Sequence, residues 1–374
     1  MTGSMYAAIA GLQTHMQKMN VIGNNIANAN TAGFKPGVTT FTESMYTSLK
    51  TSTGGGELLG GTNAAQIGYG SQLSTIDVSM AIGTPAPTNI NSNLYLNGSG
   101  FFLVGPKPTG EAGYQPDPNQ LVLRRVGDFK VDKDGYLIDA NGNCVYGFMP
   151  KGDENGKILK DANGDIQYDT CLRPLRLPVS APIPENPDDA NAIPEGNAVY
   201  PTVTEDTNAF EYPDFIEVDD DTDMRENRVD VESLNLSFGS NGVITAVTNN
   251  GEAITMGVIA IASVRNPSGL TKIGEGYYQP GGNSGDVTVG TSRGVLKDAY
   301  LNNMNAQDDA DDPTLSKITS GANTDILSGY LESSKTDIST EFADLITTQR
   351  GFQANTKIIT VTDEMLSELV NMKR

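Results

Sequence analysis

Few residues of this chain are of the types that carry out catalysis or bind metals tightly. His15 is the only histidine, and Cys144 and Cys171 are the only cysteines. A Ser-His-Asp or Cys-His site would have to use His15, and the same counts nearly exclude a His/Cys zinc site. Nothing near His15 supplies a nucleophile with an orienting partner, so we expect a solvated or interface histidine. The sequence therefore predicts no catalytic residue, no cofactor-binding residue and no metal ligand, and a protein that is not an enzyme.

One acidic segment has the residue types that calcium binding uses. Asp132 and Asp134 resemble the start of a calcium loop, but a loop of EF-hand type needs an oxygen ligand at position 130 and a glutamate at 141. Those positions hold Lys130 and Asn141. A type I′ hairpin turn is therefore the preferred interpretation of this segment.

The overall charge argues against several classes of partner. The 374-residue chain carries a formal net charge of −21, which opposes nucleic-acid binding because phosphate backbones need a cationic surface. The most apolar run, residues 256–264, is far too short to cross a bilayer. The cluster Asp219–Asp223 is typical of a solvated loop, with weak calcium binding as the less favoured alternative. We expect neither a nucleic-acid partner nor membrane insertion.

Two cysteines are too few for a disulfide framework. Cys144 and Cys171 could pair with each other, or both could be free. Free thiols are favoured because single cysteines are commonly buried as small apolar residues.

Both ends of the chain have the residue spacing of helices with an apolar face. In each, apolar residues recur three or four positions apart, which places them along one side of a helix. The N-terminal series is Met5, Ile9, Leu12, Met16, Met19, Ile22 and Ile26. The C-terminal series is Ile338, Phe342, Leu345, Phe352, Ile359, Leu366 and Val370. We predict a helix over residues 3–31, ended by Gly33 and Pro36, and a final helix capped by Ser334 and Asp337.

An apolar series of this kind has two explanations. Core packing inside one globular domain gives the same period. Alternatively, the terminal helices pack against each other or against other subunits. The position of both series at the extreme ends of the chain favours the second explanation.

The residues between the helices predict strands and turns. Asn-Gly or Asp-Gly pairs begin at positions 134, 141, 155, 163, 241 and 250, and such pairs are strong hairpin signals. We predict an α+β fold that is mainly β, with paired, coiled-coil-like terminal helices flanking a discontinuous β domain that carries an inserted second β domain. The predicted limits are 1–35 and 330–374 for the helical assembly domain, 36–70 for a connector, 71–149 and 232–329 for the β domain, and 150–231 for the inserted outer domain.

Motifs along the chain add a family resemblance. The N-terminal motif comprises Asn24, Asn25, Ile26, Ala27, Asn28, Asn30, Thr31, Gly33, Phe34 and Lys35. The C-terminal motif comprises Leu331, Glu332, Ser333, Asp337, Gln349, Arg350, Gln353, Ala354 and Asn355. The middle motifs comprise Gly98, Gly100, Phe101, Phe102, Arg125, Gly127, Phe129, Asn266, Pro267, Gly269 and Leu270. Together they resemble the flagellar rod and hook family of axial proteins, from which Lys335 departs where asparagine is usual.

This resemblance implies a structural subunit of the bacterial flagellar hook. Many copies would polymerise into a hollow curved tube that transmits torque from rod to filament. The terminal helices would line the inner wall, the β domain would form the middle layer, and the inserted domain the outside. The implied partners are further copies of the chain, rod and hook–filament junction proteins, and, during assembly, the hook cap and the type III export apparatus. The implied location is extracellular, in the hook and basal body of the flagellum, reached without a cleaved signal.

Two other functions stay open. A distal rod subunit shares both terminal motifs, and the hook is preferred because of the size of the segment 150–231. A function of another class is a secreted adhesin or carbohydrate-binding β protein with helical ends.

The resemblance also implies which residues form the assembly interface. Gly33 is expected to permit a backbone angle that a side chain would oppose, and Phe34 to anchor the turn that follows the first helix. The predicted interface residues are Met5, Ile9, Leu12, Met16, Met19, Ile26, Asn28, Asn30, Thr31, Gly33, Phe34, Lys35, Ile338, Phe342, Leu345, Gln349, Arg350, Phe352, Asn355, Ile359 and Leu366.

Overall fold

The chain folds into two units. The computed structural model describes residues 2–55, 60–107, 120–160, 164, 166–169, 172–181, 193–194, 196–203, 210–213, 228–229, 231, 235–249, 251–291, 294–300 and 324–372. Residues 1–81 and 334–374 form the helical unit, and residues 82–333 form the β unit. Cys171 and the Asp219–Asp223 cluster lie outside the described residues.

Two long helices belong to the helical unit. They are α1 (Thr2–Ala27) and α2 (Ile338–Asn371). Helix α1 ends four residues before its predicted limit because polar side chains there bond to nearby backbone and side-chain groups. The Asn28 side-chain amide donates to the Asn24 carbonyl at 3.0 Å, and the Thr31 hydroxyl donates to Asn28 Oδ1 at 3.2 Å. At α2, the Asp337 carboxylate accepts from the Ser339 N–H at 3.0 Å, which confirms Asp337 as a cap. Ser334 was also predicted to cap this helix, but its hydroxyl accepts from the Thr336 N–H at 3.2 Å, before the helix begins.

A long antiparallel ribbon completes the helical unit. Its strands are β1 (Gly37–Glu43), β2 (Tyr46–Lys50), β3 (Ala65–Gly68) and β4 (Ser71–Val78). Strand β1 pairs with β4, and β2 pairs with β3. This differs from the predicted irregular connector over 36–70, and from the assignment of residues 71–78 to the β domain. The side chains of the ribbon are mostly exposed on both faces, so its sequence lacks the alternation that marks a half-buried strand.

Helices α1 and α2 run antiparallel and touch through small and polar residues. A Cβ placed on Gly11 would lie 2.5 Å from Asn355 Nδ2, and one on Gly351 would lie 2.7 Å from the His15 ring. Asn25 donates to the Glu341 carboxylate at 2.9 Å farther along. The buried side chains of the two helices are Ala8, Thr14, Ile22, Asn25, Thr348 and Thr362. In a single chain, therefore, Ile22 is the one member of the predicted apolar series that is fully buried.

Short antiparallel strands build the β unit. The first group is β5 (Pro85–Pro87), β6 (Asn93–Asn97), β7 (Phe101–Gly105), β8 (Val122–Arg124), β9 (Gly127–Asp128), β10 (Lys130–Val131), β11 (Leu137–Ile138) and β12 (Cys144–Phe148). Next come β13 (Arg173–Pro174), β14 (Val179–Ser180), β15 (Ala198–Val199), β16 (Thr202–Val203) and β17 (Phe210–Glu211). The last group is β18 (Leu236–Phe238), β19 (Val243–Val247), β20 (Ala253–Ile259), β21 (Ile261–Val264), β22 (Thr271–Gly274), β23 (Tyr277–Gln279), β24 (Val287–Thr291), β25 (Gly294–Tyr300), β26 (Asp325–Ser328) and β27 (Tyr330–Glu332).

The main sheet mixes strands from distant parts of the sequence. Its central order is β18-β19-β20-β12-β7-β21-β24-β25. The two strands from before residue 150, β12 and β7, thus lie side by side between strands from after residue 231. A small sheet of order β26-β6-β9 and the pair β5–β27 lie outside this path.

One large core lies beneath the main sheet. Phe102 and Phe129 meet edge to face, with ring centroids 4.9 Å apart. Leu175, Tyr200 and Val229, from the segment predicted as an inserted domain, are buried in the same core. Val179, Ala181, Ile193 and Val199 form a smaller second cluster. Among the described residues, the segment 150–231 therefore does not separate from the rest of the β unit.

The Asp132–Tyr136 hairpin turn differs from the predicted type. The Gly135 N–H donates to the Asp132 carbonyl at 2.9 Å, and Gly135 has a φ of 75°. A type I′ turn needs a positive φ at two central residues. Among described residues other than glycine, only Asn89 and Glu275 have one. The turn is therefore a three-residue loop with glycine in the left-handed position, and the prediction of type I′ was wrong.

Cys144 should be unreactive in the folded chain. It is a buried, free thiol, and burial raises its pKa to about 12. At pH 8 only about one thiol in ten thousand is then ionised, and the thiolate is the reactive form. In a Cys171→Ser variant, iodoacetamide should label the native protein far more slowly than the denatured protein. Equal labelling rates in the two states would contradict this placement of Cys144.

The helix contact should depend on Gly351. Replacing Gly351 by leucine forces a side chain against His15, and overpacking of this kind costs about 1–3 kcal/mol. Gly23 is the matched control, because a Cβ there meets nothing within 4 Å. Gly23→Leu should raise the melting midpoint of the helical circular-dichroism signal, since leucine favours helix by about 1 kcal/mol over glycine. Gly351→Leu should lower it, and equal shifts for the two variants would contradict the helix pairing.

Candidate assembly surface

Exposed apolar side chains are concentrated in the helical unit. Of the 27 large hydrophobic residues that are exposed in the described part of the chain, 21 belong to this unit. In contrast, Ala8 and Ile22 are its only fully buried apolar residues among those described. The β unit has the opposite distribution, with nearly all of the buried core. A large exposed apolar surface of this kind marks a place where another molecule binds.

One part of this surface is a groove between α1 and the ribbon. The groove has a volume of about 440 Å³ and is open to solvent. Its lining residues are Tyr6, Ile9, Ala10, Gln13, Met45 and Tyr69. Gln13 is the single polar amide in the lining, so the groove suits an apolar side chain from a partner.

A second part is the C-terminal end of α2. At 1.5 Å per residue, α2 is about 51 Å long and α1 about 39 Å long. Extending the antiparallel register that sets Gly11 against Asn355 puts Thr2 opposite Glu364. Residues from Met365 onward therefore extend past the first described residue of α1. The exposed apolar residues of this end are Met365, Leu366, Leu369, Val370 and Met372.

The residues predicted for the interface fall into exposed and half-buried sets on the helices. The exposed ones are Ile9, Met16, Ile338, Phe342, Gln349, Arg350 and Leu366. The half-buried ones are Met5, Leu12, Met19, Ile26, Leu345, Phe352, Asn355 and Ile359. None of these side chains is fully buried within the chain, so each keeps surface that a neighbouring molecule can contact.

The turn after α1 differs from the helices, because two of its predicted interface residues are buried within a single chain. Gly33 has a φ of 65°, in agreement with the expectation that it adopts a backbone angle unfavourable for side chains. Lys35 is buried, and its ammonium group donates to the Ala81 carbonyl at 2.7 Å. Phe34 and Asn28 are half-buried, whereas Asn30 and Thr31 are exposed. Lys35 and Gly33 are thus enclosed within the helical unit of a single chain.

Asn25 joins three elements of the helical unit. Its side-chain amide donates to the Gly37 carbonyl and to Glu341 Oε1, both at 2.9 Å, and its Oδ1 accepts from the Gly37 N–H at 2.9 Å. Burial raises the pKa of Glu341, while the hydrogen bond from Asn25 acts in the opposite direction. The Asp337 pKa is lowered, chiefly by the hydrogen bond from the Thr340 hydroxyl and also by backbone N–H groups.

Sequence reasoning missed the contacts of Gly11, His15, Asn25, Glu341 and Gly351. The N-terminal motif included Asn25 without giving it a role. A polar residue in the middle of an otherwise apolar helix face was the available signal for it, since buried polar groups are normally hydrogen-bonded.

Within the described ranges, no three His, Cys, Asp or Glu side chains are grouped to hold a metal ion. None of the helices in those ranges has the length and hydropathy of a membrane span. What the helical unit offers is apolar contact area along two long helices and a ribbon.

Comparison with known proteins identifies related chains over the whole length. The model of the flagella basal body rod protein matches residues 5–35, and that of the flagellar basal body rod FlgEFG protein C-terminal matches residues 327–372. The flagellar basal-body rod protein FlgG of Bacillus subtilis is 27% identical, covering 100% of both chains. The flagellar hook protein FlgE of Borreliella burgdorferi is 26% identical, again over 100% of both. The hook protein FlgE of Salmonella typhimurium is 23% identical over 99% of this chain and 100% of its own.

Both matched segments coincide with the helical unit, apart from residues 327–333 at the end of the β unit. They contain the two terminal motifs and the helices whose large apolar side chains a single chain leaves exposed. Together with relatives of full-length coverage, they support a protein of the flagellar rod and hook family of axial proteins.

Proposed function

We propose that the chain is a subunit of the flagellar hook, which polymerises into a hollow curved tube that transmits torque from rod to filament. The observation that supports polymerisation is the distribution of exposed apolar residues. Among the described residues, a single chain leaves 21 large hydrophobic side chains of the helical unit in water. Other copies of the chain are the natural cover, because each brings the same unpaired surface.

The arrangement of that surface favours open stacking over a closed dimer. The groove lies between α1 and the ribbon, whereas the apolar end of α2 lies beyond the start of α1. A contact between two different patches is heterologous, and repetition of such a contact generates a helical filament unless the rotation closes into a ring. Helices of about 39 and 51 Å are long enough to contact more than one neighbour along the stack.

The distal rod is the second candidate. The Bacillus subtilis rod relative aligns over 374 residues, whereas the Borreliella burgdorferi hook relative aligns over 478. Both relatives are covered to 100%, at 27% and 26% identity, so the comparison favours neither assignment. The hook is preferred on the length of the segment 150–231, although its described residues pack in the core of the β unit. Further copies, rod proteins and hook–filament junction proteins would be the neighbours in the assembled flagellum, and the hook cap and export apparatus would act during its assembly.

Phe342→Asp should abolish polymerisation. Phe342 is 48% exposed on α2, and a carboxylate at an apolar contact loses its hydration without gaining a partner. Ile273→Asp is the matched control, because Ile273 is 55% exposed but belongs to the β unit. Sedimentation and electron microscopy of concentrated protein should show tubes for the control and none for Phe342→Asp. Tubes formed by Phe342→Asp, or blocked equally by both changes, would contradict assembly through the helical unit.

Immunolabelling of isolated basal bodies should place the protein on the hook. Antibodies raised against the β unit should decorate the curved segment outside the basal body along its whole length. Label confined to the straight segment within the basal body would make the protein a distal rod subunit. Absence of label from both segments, with label on the cell surface, would support an adhesin.

A further inference from the structure

The chain crosses between its two units twice, and the two crossings, here called passages, adjoin the same place in the β unit. The unit boundaries fall at 81/82 and 333/334. Strand β5 follows the first boundary and β27 precedes the second. These strands pair antiparallel, with Pro85 opposite Glu332. The Ser333 N–H donates to the Thr84 carbonyl at 2.9 Å.

A buried ion pair holds this place. Glu332 Oε1 accepts from the Gly83 N–H at 2.6 Å, and Glu332 Oε2 accepts from Arg125 Nε at 2.7 Å. The side chains of Arg125 and Glu332 are 3% and 1% exposed. Glu332 therefore binds Gly83, which lies beside the first unit boundary, and lies itself beside the second boundary. In turn, Arg125 binds Glu332 from the interior of the β unit.

Arg125 connects the pair to the turn that precedes β7. Its guanidinium donates to the carbonyls of Leu96 at 2.9 Å and Gly98 at 2.6 Å, and also to that of Gly100. Arginine suits this role because its planar group presents several donors in a fixed geometry. Tyr95 supports the same site from the other side, since its hydroxyl donates to the Gly83 carbonyl at 2.9 Å.

Three of the sequence motifs meet here. Glu332 belongs to the C-terminal motif, Arg125 to the middle motif that also contains Gly127 and Phe129, and Gly98 and Gly100 to the one that also contains Phe101 and Phe102. The space around Gly83 is also filled, because a Cβ there would lie 2.9 Å from Glu332 Cγ.

We propose that Arg125 and Glu332 form the mechanical anchor through which force on the helical unit enters the β unit. A force on the two passages pulls the adjacent ends of β5 and β27 apart, so their bonds open one after another from Gly83 and Glu332 inward. The first group to resist is Glu332, and Arg125 passes the force to three backbone carbonyls of the core. In the polymer, which rests on the proposed function, torque would follow this route.

Single-molecule pulling on the full-length chain tests the anchor. With handles at the two termini, the helical unit opens first and the force then acts at residues 82 and 333. In Glu332→Gln, which keeps the size of the side chain and an acceptor for Gly83, the unfolding rate of the β unit under load should rise on the order of 100-fold. Arg125→Lys should give a smaller rise, because lysine restores the charge without the guanidinium geometry.

Asp169→Asn is the matched control. Asp169 also binds Arg173 Nε at 2.7 Å, with side chains 1% and 6% exposed, but this pair lies away from β5 and β27. In chemical denaturation without force, the two variants should lose similar stability. Under force, Glu332→Gln should open much faster and Asp169→Asn should open at a rate near that of the unaltered chain. Equal effects of the two changes under force, or an unchanged rate in Glu332→Gln, would overturn the proposal. Because single chains are pulled, neither result depends on polymerisation.

Discussion

The pairing of β5 with β27 shortens the loop that the contact between α1 and α2 has to close. Asn25 and Glu341 bond across 316 positions of sequence, and closing a flexible loop of that length costs on the order of 5 kcal/mol. Besides Ile22, the fully buried side chains of the two helices are small or polar. Pairing of β5 with β27 brings Gly83 and Glu332 together inside the β unit. Once the β unit has folded, only residues 26–82 and 333–340 separate the two bonded residues, and the cost of loop closure falls by about 1.4 kcal/mol.

The two units use their apolar residues in opposite ways. The β unit buries them in its own core, with Phe102, Phe129 and Leu175 completely enclosed. The helical unit keeps Tyr6, Phe342 and Leu369 in water. Burying one such side chain stabilises by about 1.5–3 kcal/mol, whereas association costs about 4–15 kcal/mol in lost freedom. Burying several of these side chains at once is therefore enough to favour assembly, whereas burying only one or two is not enough.

Local patterns in the sequence predicted the elements better than their partners. The period of the apolar residues located both helices, and Gly33 and the Asn-Gly pairs located turns where glycine has a positive φ, including Gly142, Gly156, Gly242 and Gly251. The ribbon was missed because its strands are exposed on both faces and carry no alternating pattern. The contacts of Gly11 with Asn355 and of His15 with Gly351 were missed for a different reason. A period shows which face of a helix is apolar, but it does not show which residue lies opposite when the two helices are more than 300 positions apart.

The alternation of small and larger residues along the helix contact fixes the axial alignment of α1 and α2. Gly11 accommodates Asn355, and Gly351 accommodates His15. A slip of one turn in one direction would set His15 against Asn355, where neither leaves room for the other. A slip in the opposite direction would set Gly11 against Gly351 and leave a gap between the helices. The helix pair therefore resists sliding along its axis, even though its individual contacts are weak.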